Sequence, residues 1–259
     1  MTSKVRPMSF IYAMSDIHGI TDAFKEALSL VDLRDKNNKL VLLGDYIGRK
    51  GDQTEILLFI KSLEEHYGEQ VVVLMGNHEL YLLDSKEMAD DWKEWAAQGY
   101  FDDVGPSPES SDFVSLKDSE ENVIIAWLST LPFYYETERQ IYVHAGIDED
   151  AGAYWNFASE NHYFCQKHPP TIGAFTKDVI AGHVSAYKMF EWYSQIPYAH
   201  YDNGIFWDGK SHFFIDGDVE VTSTIPVLKY NTDSGVYSSF KKTKPNGSRF
   251  HWAEYIIKP

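Results

Sequence analysis

The sequence predicts an α/β fold with a parallel sheet, and three observations in its first third support that prediction. Short apolar runs alternate with segments of helical periodicity, the apolar runs are continuous, and they begin about thirty residues apart. Continuous apolar runs are typical of strands that are buried on both faces. A spacing of this size is what a strand, a crossover helix and a parallel strand require. We therefore expect βαβ units with helices covering the sheet.

Three strands and two helices account for the first third of the chain. The predicted strands are FIYAM (10 to 14), KLVLL (39 to 43) and QVVVLM (70 to 75), and the predicted helices are TDAFKEALSLV (21 to 31) and TEILLFIKSLEEHY (54 to 67). Thr21 and Asp52 are the expected N-caps, because each precedes or opens an amphipathic run and carries a side-chain oxygen.

The pattern changes after Met75. A helical, acidic and Trp-bearing region (80 to 98) is followed by the loop GPSPESSD (105 to 112) and a helix near 120 to 130. This region is too polar to bury a core of its own. We expect a single domain over residues 1–259, with a helical cap or insertion at about 80–130.

Strands resume in the second half of the chain. RQIYVHA (139 to 145) and DVIAGH (178 to 183) are predicted strands, and residues 206 to 218 are predicted to form a hairpin. TIPVLKYN (224 to 231) and HWAEYIIK (251 to 258) are expected to complete a second set of strands that is mainly antiparallel.

Composition limits the possible partners and location. Lys and Arg number 23 against 39 Asp and Glu, a formal net charge of −16 that disfavours a nucleic-acid partner. Cys165 is the single cysteine, so no disulfide can form within the chain. No segment has the continuous apolar length of a membrane span, and the N-terminus lacks the pattern of a signal peptide. We expect a cytoplasmic location, while the oligomeric state is not indicated.

Polar residues follow each predicted strand. They are Asp16 and His18 in SDIHG, Asp45 in GDY, Asn77 and His78 in GNHE, His144 in VHAG and His183 in AGH. The carboxyl ends of parallel strands line a common crevice, so these groups are expected to converge. Asp16 and His18 should point the same way if their segment is extended, since they are two residues apart. Mixed nitrogen and oxygen ligands suit Mn, Fe or Zn.

These motifs resemble those of the calcineurin-like metallophosphoesterases, and specifically the phosphoprotein phosphatase branch. The resemblance rests on SDIHG (15 to 19), GDYIGRKG (44 to 51), GNHE (76 to 79), VHAG (143 to 146) and AGH (181 to 183), and it extends to LPFYYE (131 to 136) and residues 214 to 230. It implies a four-layer sandwich in which two mixed β-sheets are flanked by helices. It also implies two divalent or trivalent metal ions (Mn, Fe or Zn).

The resemblance implies a role for each motif residue. Asp16, His18 and Asp45 would hold the first metal, and Asp45, Asn77, His144 and His183 the second. Two adjacent cations can bind phosphoryl oxygens and lower the pKa of a bridging water, which supplies hydroxide for attack on phosphorus. His78 would donate a proton to the leaving group, and Arg49 would bind phosphate oxygens.

The chain departs from the family pattern at two places. Gly48 stands where most of these phosphatases have an aspartate that supports the histidine corresponding to His78. Gly48→Asp is therefore expected to raise the rate for substrates with a poor leaving group more than for an aryl phosphate. The family also uses a second phosphate-binding arginine, yet no arginine lies between Arg139 and Arg249. The aromatic segment 153 to 170 is either a substrate-shaping lid or an ordinary surface loop. Other candidates for an anion contact are His162, Lys167, His168, Lys177 and Lys188.

Three functions remain open from the sequence. The first is a metal-dependent phosphomonoesterase that acts on phosphoserine and phosphothreonine in proteins or on small phosphoesters. The second is symmetric hydrolysis of diadenosine tetraphosphate, in which the aromatic segment could stack adenine. The third is a metal-binding protein with little catalysis, which Gly48 favours and the complete ligand set disfavours.

Overall fold

Two six-stranded mixed sheets form the centre of the fold in a computed structural model that describes residues 9–85, 116–195, 200–202, 204–243 and 250–258. The strands are β1 (Phe10–Met14), β2 (Lys39–Leu42), β3 (Val71–Val73), β4 (Tyr134–Glu136), β5 (Gln140–Val143), β6 (Asp178–Ser185), β7 (His200–Asp202), β8 (Ile205–Trp207), β9 (His212–Asp216), β10 (Leu228–Asn231), β11 (Tyr237–Thr243) and β12 (His251–Lys258). The first sheet has the order β12-β11-β10-β1-β2-β3, and the second has the order β4-β5-β6-β9-β8-β7.

Helices cover the outer faces of both sheets. They are α1 (Thr21–Leu28), α2 (Gln53–Tyr67), α3 (described over 77–85), α4 (Asp118–Leu128), α5 (Trp155–Ala158), α6 (Asn161–Gln166), α7 (Ala186–Tyr193) and α8 (Val219–Thr222), with 3-10 turns at Gly68–Gln70 and Glu149–Tyr154. This is the predicted sandwich of two mixed sheets flanked by helices, and the prediction is confirmed.

Alternate side chains along a strand pack in different hydrophobic cores, one between the two sheets and one beneath the helices. In β2, Leu40 and Leu42 pack in the core beneath α1 and α2, whereas Val41 packs in the core between the two sheets. In β9, Phe213 lies between the sheets and Phe214 lies in the core beneath the helices that follow β5 and β6. Successive side chains point to opposite faces of a strand. Strands buried on both faces therefore need the continuous apolar runs that the sequence shows.

The first sheet contains the predicted parallel units. β1 pairs in parallel with β2, with Met14 opposite Leu42, and β2 pairs in parallel with β3, with Leu42 opposite Val73. The helix α2 begins after Asp52, whose carboxylate accepts a hydrogen bond of 2.9 Å from the Glu55 amide, so this predicted N-cap is confirmed. The other predicted cap is wrong, because Thr21 is the first residue of α1 and no side chain caps that helix.

The expected grouping of the later strands is wrong. β10 and β12 join the first sheet through β11, and Phe10 of β1 lies opposite Asn231 of β10 in an antiparallel pair. In the second sheet β5, β6 and β9 are parallel, while the predicted hairpin forms between β8 and β9. Pairing between strands more than two hundred residues apart leaves no local signal in the sequence.

The region predicted as a helical cap is described in part. Residues 86 to 115 lie outside the described residues, so the cap itself stays a prediction. On its two sides, Leu82 of α3 and Ile124 and Leu128 of α4 are buried in the core beneath α2. Trp127 donates a hydrogen bond of 2.7 Å to Glu64 on α2. No helix in the described ranges has the length and apolar character needed to cross a membrane.

Candidate metal centre

The carboxyl ends of β1, β2, β3, β5, β6 and β9 meet along one edge of the sandwich. The Asp16 amide donates to the Gly44 carbonyl (3.1 Å) within the first sheet, and the His183 amide of the second sheet donates to the Asp16 carboxylate of the first (3.1 and 3.3 Å). The strand ends of both sheets therefore supply one site, as expected for ligands at the carboxyl ends of parallel strands.

Two groups of potential metal ligands share one carboxylate at this site. His18, Asp45 and His78 form one group, and Asp45, His144 and His183 form the other, with ligand atoms within 4.8 Å of one another in each group. Asp45 is 3% exposed and offers two oxygens: Oδ2 lies 3.7 Å from His78 Nε2, and Oδ1 lies 3.3 Å from His144 Nε2. This geometry allows Asp45 to contact two cations at once.

Asn77 belongs to the second group. Its Oδ1 lies 2.9 Å from His144 Nε2 and 2.8 Å from His183 Nδ1. Asn77 is the first residue of the helix after β3, so its side chain points back towards the other strand ends. Three neutral donors and the Asp45 carboxylate thus surround one position.

Carbonyl groups orient two of the imidazole rings. His144 Nδ1 donates to the Leu43 carbonyl (2.8 Å), and His18 Nδ1 donates to the Ile47 carbonyl (3.2 Å). A carbonyl can only accept, so each Nδ1 carries the proton and each Nε2 is left to face the site. Such contacts are typical of histidines that bind metal through the other nitrogen.

Asp16 and His18 meet by a different geometry from the one predicted. Neither residue is extended: both have left-handed backbone, with φ of 56° and 47°. Asp16 Oδ1 nevertheless lies 3.7 Å from His18 Nε2, and its carboxylate accepts from the His183 amide (3.1 and 3.3 Å). The extended-segment argument was wrong although the two side chains do come together. A left-handed backbone is unusual for these residues and marks a strained turn at the site.

The pKa values of the carboxylates and imidazoles at the centre are shifted because these groups lie close together and are shielded from water. Burial disfavours the charge of Asp45, yet the nearby imidazoles, His144 foremost, hold the pKa of Asp45 well below its ordinary value. Burial lowers the pKa of His144 and His18, but the Asp45 and Asp16 carboxylates raise these pKa values to about 9 and about 10. Burial and the neighbouring His144 lower the pKa of His183 to about 4. Cations bound here would displace protons from the imidazoles, since a ligating imidazole must be neutral.

Glu79 holds the loop that carries Asp45, a role the sequence did not reveal. Its Oε2 accepts from the amides of Asp45 (2.8 Å) and Gly76 (3.2 Å), and its Oε1 accepts from those of Tyr46 (2.9 Å) and Ile47 (3.1 Å). Glu79 is fully buried. Burial, followed by the Asp45 charge, raises the pKa of Glu79 to about 7. The feature of the sequence that could have indicated this role is the position of an acidic residue directly after Asn77 and His78.

Asp216 is a second carboxylate that the sequence did not assign to the site. It ends β9 and is 8% exposed, and burial together with the Asp16 carboxylate raises the pKa of Asp216 well above its ordinary value. Its Oδ1 accepts a hydrogen bond of 2.8 Å from the Asp218 amide. Burial and the Asp16 charge therefore favour the protonated form of this additional carboxyl group near Asp16.

Two observations, in addition to the ligand atoms themselves, indicate that the residues at this site fit metal ions. The Ser15 hydroxyl beside Asp16 is buried and has no hydrogen-bond partner, so a polar atom at the site is unsatisfied. A Cβ at Gly182 would overlap Ser15 and the Asp16 carboxylate, and a Cβ at Gly76 would overlap Asp45. The backbone at these glycines closes on the two carboxylates and holds them in place.

Gly48 leaves no room for the aspartate that the family pattern calls for. A Cβ there would lie 2.7 Å from His18 Cβ and 2.8 Å from His18 Cα. A side chain at position 48 must therefore displace a candidate ligand, which argues against the expected gain from Gly48→Asp. Arg49 is exposed beside this contact, on the same loop.

The residues predicted as anion contacts in the second half of the chain differ in their surroundings. Some are engaged in ion pairs and others are exposed. Lys167 is buried against Glu149 and donates to the Ile147 carbonyl, so it is wrong as an anion contact. Lys177 binds Glu136 (2.8 Å) before β6 begins, at the opposite end of that strand from His183. His168 and Lys188 are exposed. The side chain of His162 lies outside the described residues.

Sequence comparison decides the family. The sequence model of the calcineurin-like phosphoesterase family matches residues 11–237. The chain belongs to this family. The phosphoesterase match thus covers every candidate ligand and the strands of both sheets up to β10.

Among curated proteins, a symmetrical bis(5'-nucleosyl)-tetraphosphatase of Aromatoleum aromaticum is 30% identical over 137 residues, which cover 53% of this chain and 44% of that protein. The chain thus matches less than half the length of this relative.

Solved structures confirm the fold of this phosphoesterase. A protein serine/threonine phosphatase from Saccharomyces cerevisiae superposes with a TM-score of 0.53 at 12% identity, covering 99% of this chain and 82% of that chain. A cold-active protein-tyrosine phosphatase of a psychrophilic Shewanella superposes with a TM-score of 0.51 at 16% identity, covering 90% and 80%. At these identities the likeness concerns the fold alone.

Proposed function

We propose that this phosphoesterase is a metal-dependent phosphatase that hydrolyses phosphomonoesters at a centre of two metal ions. The supporting observation is that one buried carboxylate, Asp45, is shared by two groups of ligand atoms within 4.8 Å. Asp16, His18 and Asp45 would hold one ion, and Asp45, Asn77, His144 and His183 would hold the other. Nitrogen and oxygen ligands together favour Mn, Fe or Zn.

The bound metals supply Lewis acidity and an activated water for attack on phosphorus. The chain's own groups do the remaining work. His78 is 36% exposed at its side chain and lies on the open side of Asp45, where it can donate a proton to the departing alkoxide. Arg49 is exposed on the loop after Asp45 and binds phosphate oxygens with its planar guanidinium. Phosphoserine and phosphothreonine in proteins, or small phosphoesters, fit such a site.

A second substrate is favoured by a specific observation. Curated proteins similar to about half of the chain are symmetrical bis(5'-nucleosyl)-tetraphosphatases, so diadenosine tetraphosphate is the alternative substrate. Hydrolysis of this compound needs the same metal-bound phosphate but also room for a nucleotide leaving group.

One experiment tests both substrates. The protein is stripped of metal, reconstituted with Mn²⁺ and assayed with an aryl phosphate, a phosphopeptide and diadenosine tetraphosphate. We expect turnover that depends on Mn²⁺, and Asp45→Asn should lower kcat by more than about 100-fold because it removes the shared charge. Asp32→Asn is the matched control, since Asp32 is an exposed aspartate paired with Arg34. Absence of metal-dependent turnover with all three compounds would disprove the proposal.

A further inference from the structure

The helix α7 begins at Ala186, three residues after His183, and carries exposed aromatic side chains next to the metal centre. It buries Ala186 and Met189 against the second sheet. Tyr187 is 53% exposed and Trp192 is 49% exposed, although both are large apolar side chains. Exposed aromatic groups next to a candidate active site are a typical feature of ligand-binding surfaces.

The two flanks of α7 differ in their contacts. On one flank, Tyr187 and Phe190 contact Tyr201, with ring centroids 6.3 and 5.4 Å apart. On the other flank, Trp192 contacts the His168 ring at 6.0 Å and an interplanar angle of 84°. Lys188 lies four residues before Trp192, so it shares this second flank. We call His168, Lys188 and Trp192 the α7 surface.

The segment that carries His168 is held between the metal centre and α7. The aliphatic part of Lys167 packs against Gly146, which lies two residues after His144. Tyr193 of α7 donates a hydrogen bond of 3.4 Å to the Pro170 carbonyl. His168 directly follows Lys167, and α7 directly follows the strand that carries His183, so the α7 surface lies close to the strand ends of His144 and His183.

We propose that the α7 surface binds the nucleoside phosphate part of a substrate whose scissile phosphorus lies at the metal centre. The nucleobase stacks on Trp192, and Lys188 and His168 contact phosphate oxygens between the base and the scissile group. The inference rests on the proposed phosphoesterase function for the position of the phosphorus. It adds a binding surface for the nucleoside part of such a substrate and favours the phosphoesters or phosphoanhydrides that carry a nucleoside.

The chemistry of the α7 surface favours a nucleotide over a phosphorylated side chain. A base–aromatic stack contributes about 1–3 kcal/mol per base and accepts any base, whereas phosphoserine offers no ring to stack. The net charge of −16 repels anions at long range, so a local lysine and histidine matter for holding an additional phosphate. A protein that docks on the same aromatic side chains is the competing occupant.

Binding of adenosine monophosphate (AMP) tests the surface without requiring activity. Calorimetry on the Mn²⁺-loaded full chain gives the affinities for AMP and for inorganic phosphate. Inorganic phosphate lacks a nucleoside, so its affinity measures binding at the metals alone. Trp192→Leu is expected to weaken AMP relative to inorganic phosphate by about tenfold. Lys188→Gln, a change of an exposed side chain, should weaken AMP about threefold. Tyr187→Leu on the other flank is the matched control and should leave the ratio unchanged.

Kinetics give a second measurement. The KM for diadenosine tetraphosphate divided by the KM for glycerol phosphate should rise about tenfold in Trp192→Leu and stay constant in Tyr187→Leu. Unchanged AMP affinity in both Trp192→Leu and Lys188→Gln, or no AMP binding by the wild type at millimolar concentration, would overturn the inference and favour a protein partner. Absence of turnover by the wild type would count against the proposed function and not against this inference. The affinity for AMP tests the α7 surface whether or not the protein turns over a substrate.

Discussion

The substitution Glu79→Gln should destabilise the protein and weaken metal binding together. Glu79 accepts four backbone hydrogen bonds, two on each carboxylate oxygen, in a fully buried position. A glutamine keeps one oxygen, so two amides of the loop around Asp45 would face an NH₂ group. Each unsatisfied buried donor costs about 1–3 kcal/mol, which gives a loss of about 2–6 kcal/mol in the free energy of unfolding. Asp45 would then be held less firmly, and Mn²⁺ affinity should fall by about 10- to 100-fold.

Urea denaturation of the metal-free protein at pH 8 and calorimetric titration with Mn²⁺ measure the two effects. At that pH Glu79 is mainly ionised, since its pKa is about 7. Glu64→Gln is the matched control: Glu64 accepts a hydrogen bond of 2.7 Å from Trp127 Nε1, and a glutamine retains an oxygen for that donor. We expect the control to cost less than about 1 kcal/mol. Equal, small losses in both variants with unchanged Mn²⁺ affinity would refute the role given to the four amides.

Three further predictions concern other parts of the molecule. Gly48→Ala should weaken Mn²⁺ binding by at least about tenfold, because the new Cβ would lie 2.7 Å from His18 Cβ. Unchanged Mn²⁺ affinity in calorimetry would contradict this prediction and show that the loop can move away from His18. Treatment with a chelator should lower the melting temperature, and Mn²⁺ should restore it in the wild type but not in Asp45→Asn. The third concerns His212, where burial lowers the pKa but the Asp208 and Glu149 carboxylates raise it to about 9 from an ordinary 6.5. Its stabilisation of about 3 kcal/mol should be complete below pH 6.5 and lost as the pH rises through 9. Urea melts of His212→Gln should show no such loss, and parallel profiles of the two proteins would contradict the assignment.

The parallel strands of the first sheet and the polar residues at their ends could be predicted because their causes are local. Strands buried on both faces require continuous apolar residues, and the crossover helices set the distance between Met14, Leu42 and Val73 along the chain. Polar residues directly after such strands, including Asp45 and Asn77, are hard to explain except as a site. The predicted members of the site therefore came from spacing and residue type.

Pairing and close packing could not be predicted from local pattern. β10 lies beside β1 because Leu228–Asn231 finds an antiparallel edge on a strand that precedes it by more than two hundred residues. Glu79 became visible as a positioning residue only when four amides were seen to surround it. Lys167 was a reasonable anion contact by residue type, yet it is buried in an ion pair with Glu149.

The sequence by itself determined the family, the candidate ligands and the order in which they follow the strands, because the ligand chemistry resides in residue type and local spacing. Only the tertiary structure decided how those ligands are held and what lies around them. Gly48 shows the difference: the pattern suggested a missing carboxylate, whereas the fold places its Cα so close to His18 that any side chain there would displace the imidazole. Contacts between residues distant in sequence depend on sheet pairing and on packing without voids, which short-range patterns do not encode.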